Sequence, residues 1–171
     1  MANPTGKTDK QTSGVYRRRI GDALVTTIND GFLNIGFEIL RDAGLENFQG
    51  LMRGAFRDGP PRLTVNAFVI QTDRNTILVD SGGGSTTVYS MGRLPENLRA
   101  AGFTPEDFNT VLVTHIHPDH TSGLLDTEGK PAFPRAEVIV HEDEIAFWSD
   151  KTFATGGRRR LCPISIPPSG S

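Results

Sequence analysis

The sequence predicts an α/β fold, because stretches typical of strands alternate along the chain with stretches typical of helices. The stretch TVLVT (110–114) is apolar and β-branched, as buried strands are. It follows MGRLPENLRAAGF (91–103), which has helical spacing and ends with a glycine suited to a helix terminus. The chain has 171 residues, of which 36% are hydrophobic and 22% charged, so we expect one globular domain with a single core.

The first part of the chain is mostly predicted strand. VYRRRIGDALVTTIND (15–30) predicts a hairpin that turns at Gly21 and Asp22. LENFQGLMRGAF (45–56) has apolar residues at helical spacing, interrupted by two glycines, and predicts a helix. RLTVNAFVIQT (62–72) and NTILVDSGGG (75–84) then predict two adjacent antiparallel strands joined at a turn-forming Asp-Arg-Asn.

Helices and strands alternate in the second part. Leu94 and Leu98 lie one turn apart and predict a surface helix that packs on the sheet, with Gly102 as its C-cap. AEVIV (136–140) predicts a further strand. HEDEIAFW (141–148) predicts a short helix whose acidic residues lie near its N-terminus, where the helix dipole favours anions.

Composition divides the chain into a flexible lead-in (1–15), a domain (16–150) and an irregular, disordered or aberrant tail (151–171) rich in Gly, Pro and Ser. The lead-in has no apolar core of a signal peptide, and the chain has no membrane-spanning apolar run, so we expect a cytoplasmic protein without a membrane partner. A net charge of -2 makes nucleic acid an unexpected partner, and one cysteine cannot form an intrachain disulfide.

Three of the four histidines fall within the stretch THIHPDHTSGL (114–124). In an extended segment, His115 and His117 project to the same side off the end of the preceding strand. Pro118 ends that strand, so Asp119 and His120 are expected in a tight loop beside the first pair. Imidazole and carboxylate suit zinc, although manganese, iron or cobalt accept the same ligands. The alternatives are polar loop residues that happen to crowd together, or a histidine-rich surface tract.

Three other features need an interpretation. Asp80, at the start of the stretch DSGGG, can cap its own turn. His141 opens a helix and is expected to be an exposed or cap-adjacent histidine rather than a ligand. Gly82–Gly84 predicts a tight turn, since no lysine follows as a phosphate-binding loop requires.

THIHPDHTSGL resembles the H-x-H-x-D-H signature of the metallo-β-lactamase superfamily, and it follows an apolar strand as the signature does there. NAFVIQTDRNTILVDSGGG and LRAAGFTPEDFNTVLVTH are similar to the segments that precede the signature in that superfamily. The resemblance covers about Tyr16 to Trp148 and is greatest to the lactonase and methyl-parathion-hydrolase-like branch. It implies an αββα sandwich of which this chain holds the N-terminal half, with one mixed or antiparallel sheet and flanking helices.

The resemblance also implies roles for the clustered residues. His115 and His117 would bind one zinc ion, and Asp119 and His120 a second, with a hydroxide bridging the two ions as the nucleophile. Asp119 would also accept a proton. Asp80 would help to hold the loop that carries these ligands without binding a metal ion itself, as an alternative to capping its own turn. The implied reaction is hydrolysis of an ester-like bond in a small lactone or organophosphate ester.

The family pattern further requires a third histidine, a bridging aspartate and another histidine later in the chain, yet no histidine follows His141. We therefore expect a truncated protein of doubtful activity alone, with one apolar sheet face exposed. One alternative is a non-catalytic metal-binding or interaction fragment that completes its site with another chain or a second copy. A glyoxalase-II-like thioesterase or a relative of redox flavoproteins is also compatible with the motif.

Overall fold

The computed structural model describes residues 14–36, 45–57, 59, 61–85 and 90–150. Most of the predicted lead-in and all of the predicted tail lie outside these residues. No helix among the described residues combines the length and the apolar character needed to cross a bilayer.

One six-stranded sheet organises the described chain. Its strands are β1 (Val15–Ile20), β2 (Ala23–Asn34), β3 (Arg62–Gln71), β4 (Thr76–Val79), β5 (Thr110–Val113) and β6 (Glu137–Val140). The strands lie side by side in sequence order. Neighbours from β1 to β4 are antiparallel, whereas β4, β5 and β6 are parallel. The predicted hairpin, the predicted antiparallel pair and the mixed α/β sheet are therefore confirmed.

Four α-helices accompany the sheet in the described residues: α1 (Leu45–Gly54), α2 (Leu94–Ala100), α3 (Pro118–Thr121) and α4 (Glu142–Ser149). Helix α2 ends one residue earlier than predicted, with Ala101 rather than Gly102 as its C-cap. Gly102 follows directly with φ +88°, and its N–H donates to the carbonyl of Arg99. A glycine tolerates this left-handed conformation without steric cost. The short helix α4 lies where the sequence predicts it.

The core lies between one face of the sheet and α2 with the segment after it. Residues of four strands, β2 to β5, point to this face, and those two apart on one strand share it, as the two-residue period of a strand requires. The buried cluster contains Ile28, Ala67, Val69, Leu78, Val111 and Val113 from the sheet, and Leu94, Leu98, Phe103 and Phe108 from the covering layer. The strands β4 and β5 are thus fixed in the middle of the packed layer, and their ends are where the candidate site forms.

The opposite face of the sheet carries an apolar row. Cross-strand pairing aligns one residue from each strand along it: Tyr16, Thr27, Phe68, Val79, Leu112 and Ile139. Phe68 and Leu112, in the middle of the row, are each 39% exposed. Exposed apolar surface on this face is what the sequence predicts.

Candidate metal centre

The candidate site forms at the edge of the sheet where the parallel strands β4 and β5 end. Asp80 directly follows β4, and Thr114 directly follows β5. The carbonyl ends of neighbouring parallel strands lie at the same edge, so these residues start close together. The loop after β5 and helix α3 then bring His115, His117, Asp119 and His120 to this edge, next to Asp80.

His115 and His117 meet through their ring nitrogens, with His115 Nε2 and His117 Nδ1 only 3.1 Å apart. The expected extended segment is wrong in detail, because the chain bends after β5 and the His117 N–H donates to the carbonyl of His115. Such a three-residue turn still brings the side chains at its two ends together. The two rings stand nearly perpendicular, at 74°.

Asp119 and His120 lie on helix α3, not in the loop that the sequence predicts. Pro118 ends the strand as expected, but it also occupies the first turn of a helix, where its fixed φ is favourable and its missing N–H costs nothing. The helical turn places His120 Nε2 3.2 Å from Asp119 Oδ2. The rings of His115 and His120 are 4.1 Å apart between centroids, so the two donor pairs are neighbours.

The spacing of each pair fits a shared metal ion. Zinc binds imidazole nitrogen or carboxylate oxygen at about 2.0–2.2 Å with tetrahedral angles, which puts two donors roughly 3.3–3.4 Å apart. The observed separations are 3.1 Å for the histidine pair and 3.2 Å for Asp119 with His120. No group of three or more His, Cys, Asp or Glu side chains that could hold a metal occurs in the described part of the chain. The donors are therefore arranged as two pairs.

Asp80 connects β4 to the loop and helix that carry these donors. Its carboxylate accepts hydrogen bonds from the Thr114 N–H at 2.8 Å and from the Thr114 hydroxyl. Its Oδ2 also lies 2.8 Å from His120 Nδ1, which leaves His120 Nε2 facing Asp119. Asp80 has φ +61°, a strained conformation for a non-glycine residue. Each carboxylate oxygen thus has a partner in the segment from Thr114 to His120.

Hydrogen bonds, burial and neighbouring charges shift the pKa values of the residues in this cluster. Hydrogen bonds to Asp119 and Asp80 raise the pKa of His120 to about 9. The same contact with His120 lowers the pKa of Asp119. Burial acts to raise the pKa of Asp80, but hydrogen bonds from His120 and Thr114 outweigh it and lower that pKa. Burial and the neighbouring imidazoles lower the pKa of His115.

We expect the metal-free protein to lose stability as the pH rises from 6.5 to about 9. The pKa of His120 is raised from 6.5 to about 9 in the folded state. The protonated ring therefore contributes fully to the free energy of unfolding below pH 6.5, and this contribution is lost as the pH rises through 9. Calorimetric melting with a chelator present measures this fall. His120→Gln should flatten the profile over this range. An identical profile in both proteins would show that His120 carries no such charge.

The glycine run after Asp80 allows a close approach of three segments. Gly82 has φ +73°, and a Cβ there would lie 2.6 Å from Cγ of Asp30. A Cβ on Gly123 would lie 1.9 Å from the carbonyl oxygen of Ser81. Ser81 in turn donates from its N–H and its hydroxyl to the carbonyl of His120. The glycines are thus needed where β2, the segment after β4 and the segment after α3 touch.

Asp30 is a residue of this region that sequence reasoning missed. It is fully buried, and its carboxylate accepts hydrogen bonds from the N–H groups of Gly83, Gly92 and Leu94. A buried carboxylate is costly unless it has such partners. The signal was available, because Asp30 continues the inward-facing alternation of Thr26 and Ile28 in β2. Asp30 therefore holds the glycine run that directly follows Ser81, the residue that donates to the His120 carbonyl.

His141 lies apart from the donor pairs. It precedes α4 as the N-cap residue, and its Nδ1 accepts a hydrogen bond from the Asp143 N–H at 3.2 Å. Its side chain is 69% exposed. This cap position is the one that the sequence predicts.

The described residues thus form an α/β domain with one mixed sheet, flanking helices and a candidate metal site where β4 and β5 end. The family described as "Metallo-beta-lactamase superfamily" matches residues 60–166. This chain therefore belongs to the metallo-β-lactamase superfamily, as its motif predicts.

Individual relatives are lactonases and hydrolases. N-acyl homoserine lactonase AiiB of Agrobacterium fabrum is 33% identical over 112 residues, which cover 55% of this chain and 38% of AiiB. The structure of hydrolase AbOPH superposes with a TM-score of 0.79 and 33% identity, over 85% of this chain and 50% of that one. AidC, a dizinc quorum-quenching lactonase, gives a TM-score of 0.76 and 27% identity, over 80% and 47%. The chain thus spans about half the length of these structures, and less of AiiB.

Proposed function

We propose that this chain provides the metal-binding part of a hydrolase that acts on lactones or related small esters, including organophosphate esters. The observation that carries the proposal is the presence of two adjacent donor pairs, each spaced for a shared metal ion. The names of AiiB and AidC support the lactone as the substrate class, with N-acyl homoserine lactones as the first candidates.

In this proposal His115 Nε2 and His117 Nδ1 hold one metal ion, and Asp119 and His120 Nε2 hold the second. Zinc is the metal we propose, since the donors suit it and AidC is described as a dizinc enzyme. When bound, the metals polarise the carbonyl or phosphoryl oxygen of the substrate and supply a nucleophile near neutral pH by lowering the pKa of water.

The protein's own residues orient these donors and move the proton. Asp80 binds His120 at Nδ1, which fixes the ring with Nε2 directed toward Asp119. A carboxylate behind a ligating histidine is a common way to fix its tautomer and orientation. Asp119, whose pKa is lowered by His120, is ionised at neutral pH. Its carboxylate is therefore available to accept a proton from the attacking water.

Four donors in two pairs leave each ion two ligands short of a tetrahedral shell. We propose that residues 16–150 form the N-terminal half of the family domain, and that the remaining donors and the substrate contacts come from further chain or from another copy. A second candidate function, a metal-binding fragment without activity of its own, is supported by this same arrangement in pairs.

Hydrolysis assays with and without a supplied second half distinguish the two candidates. The chain of 171 residues and a version extended by the second half of a lactonase relative are loaded with zinc and given an acyl homoserine lactone, a phosphotriester and a thioester. We expect turnover of the lactone by the extended version and only background hydrolysis by the shorter chain. An extended version that binds two zinc ions and hydrolyses none of the three substrates would refute the proposed function.

A further inference from the structure

The backbone between the two paired histidines is held by a side chain of helix α4. The N–H of Ile116, the residue between them, donates to Oε2 of Glu144 on helix α4 at 2.8 Å. Ile116 itself is 7% exposed, so the residue between the two histidines is packed against the protein. Hydrogen bonds that involve an ionised acceptor are shorter and stronger than neutral ones. Glu144 therefore fixes the centre of the turn that brings His115 and His117 together.

The same carboxylate oxygen also holds an aromatic ring against His117. Trp148 lies one helical turn after Glu144 and donates its Nε1–H to Oε2 at 3.2 Å. The Trp148 and His117 rings meet edge to face, with centroids 5.8 Å apart and planes at 81°. One carboxylate thus organises both the backbone beside His117 and the ring that packs on it.

We propose that Glu144 is a positioning residue of the metal centre, which preorganises the His115 and His117 pair for a cation. It acts on the turn through the Ile116 N–H and on the His117 ring through Trp148. Its negative charge adds to the attraction for the cation. The inference rests on the proposed function only in taking the two histidines as metal ligands, and it requires no particular substrate.

A role in fold stability alone would have different consequences. Trp148 also packs against the main core cluster, which anchors α4 independently of Glu144. Removing the Glu144 carboxylate should therefore leave α4 in place while the turn and the His117 ring gain freedom. Glu142, an exposed residue at the start of the same helix, provides a matched control because it is also an acidic residue of α4.

The test measures zinc affinity and the indole N–H in the chain of 171 residues. Competition with a coloured chelator gives the zinc dissociation constant for the wild type, E144A, E144Q and E142A. The sequence contains one tryptophan, so its indole N–H gives a single signal in a proton–nitrogen NMR spectrum. We expect E144A to weaken zinc binding by roughly 10- to 100-fold, as loss of a residue that orients a metal ligand does. The indole signal should shift because Trp148 loses its acceptor.

E144Q keeps an acceptor oxygen without the charge, so we expect a smaller loss of about threefold or more in zinc affinity. E142A should match the wild type in both measurements. If E144A does not fold, zinc affinity and the indole signal of E144Q show whether Glu144 positions the histidine pair.

The outcomes separate this inference from the proposed function. Wild-type zinc affinity in E144A and E144Q, or an equal loss in E142A, would overturn the inference alone. A weakened E144A together with an extended version that hydrolyses no ester would support the inference while the proposed function fails. If the wild-type chain of 171 residues binds no zinc, the same variants are compared in the extended version, and an extended version that binds no zinc would overturn both.

Discussion

Replacing Asp119 with asparagine is expected to lower the hydrolytic rate of the extended version by at least roughly two orders of magnitude. The amide cannot accept a proton from water, and it is a weaker partner for a cation than the carboxylate. It also removes the ionised neighbour that raises the pKa of His120. The fold should persist, because Asp119 is a partly exposed residue of α3 outside the core cluster.

Turnover and metal content should be measured on the same preparations of the Asp119→Asn variant. Asp143→Asn is a suitable control, since Asp143 is also acidic and its side chain is 87% exposed beside His141. This control should retain wild-type turnover. Near-normal turnover in the Asp119 variant with both metals bound would exclude the proposed role of Asp119.

Replacing either His115 or His117 with alanine is expected to abolish retention of the metal that the pair shares. Their nitrogens lie 3.1 Å apart, and one remaining imidazole cannot hold an ion with the geometry of two. Elemental analysis after gel filtration measures the metal that remains bound. The fold should be little affected, since neither ring belongs to the buried core.

His141→Ala is the matched control for these histidine variants. His141 caps α4 with its side chain largely exposed, so its replacement should leave the metal content unchanged. If the His117 variant retained as much metal as the His141 variant, the assignment of the histidine pair would be wrong.

The sequence predicts the parts of this molecule that depend on local pattern. The apolar β-branched run of β5 and the glycine after α2 give the same elements in the structure. The spacing of His115 and His117 also places them together correctly, because two residues apart is close in a strand and in a tight turn alike. These features need no information from distant segments.

Features that depend on contacts between distant segments could not be read in this way. Pro118 is compatible with a loop or a first helical turn, and the hydrogen bonds that distant Ser81 donates to the His120 carbonyl accompany the helical conformation. The hydrogen bonds that the Asp30 carboxylate accepts from Gly83 and Gly92 span more than fifty residues of sequence. The contact of Glu144 with Ile116 likewise joins separate elements. Glu144 is one of three consecutive acidic residues at the start of α4, so the sequence does not distinguish it from the other two.

The central claim is that His115, His117, Asp119 and His120 hold metal, and anomalous diffraction at the zinc edge from crystals grown with zinc tests it most directly. We predict one peak within about 2.2 Å of His115 Nε2 and His117 Nδ1, and a second at a similar distance from Asp119 and His120 Nε2. Zinc bound only elsewhere, for example at the exposed His141, with no peak at either donor pair, would contradict the account.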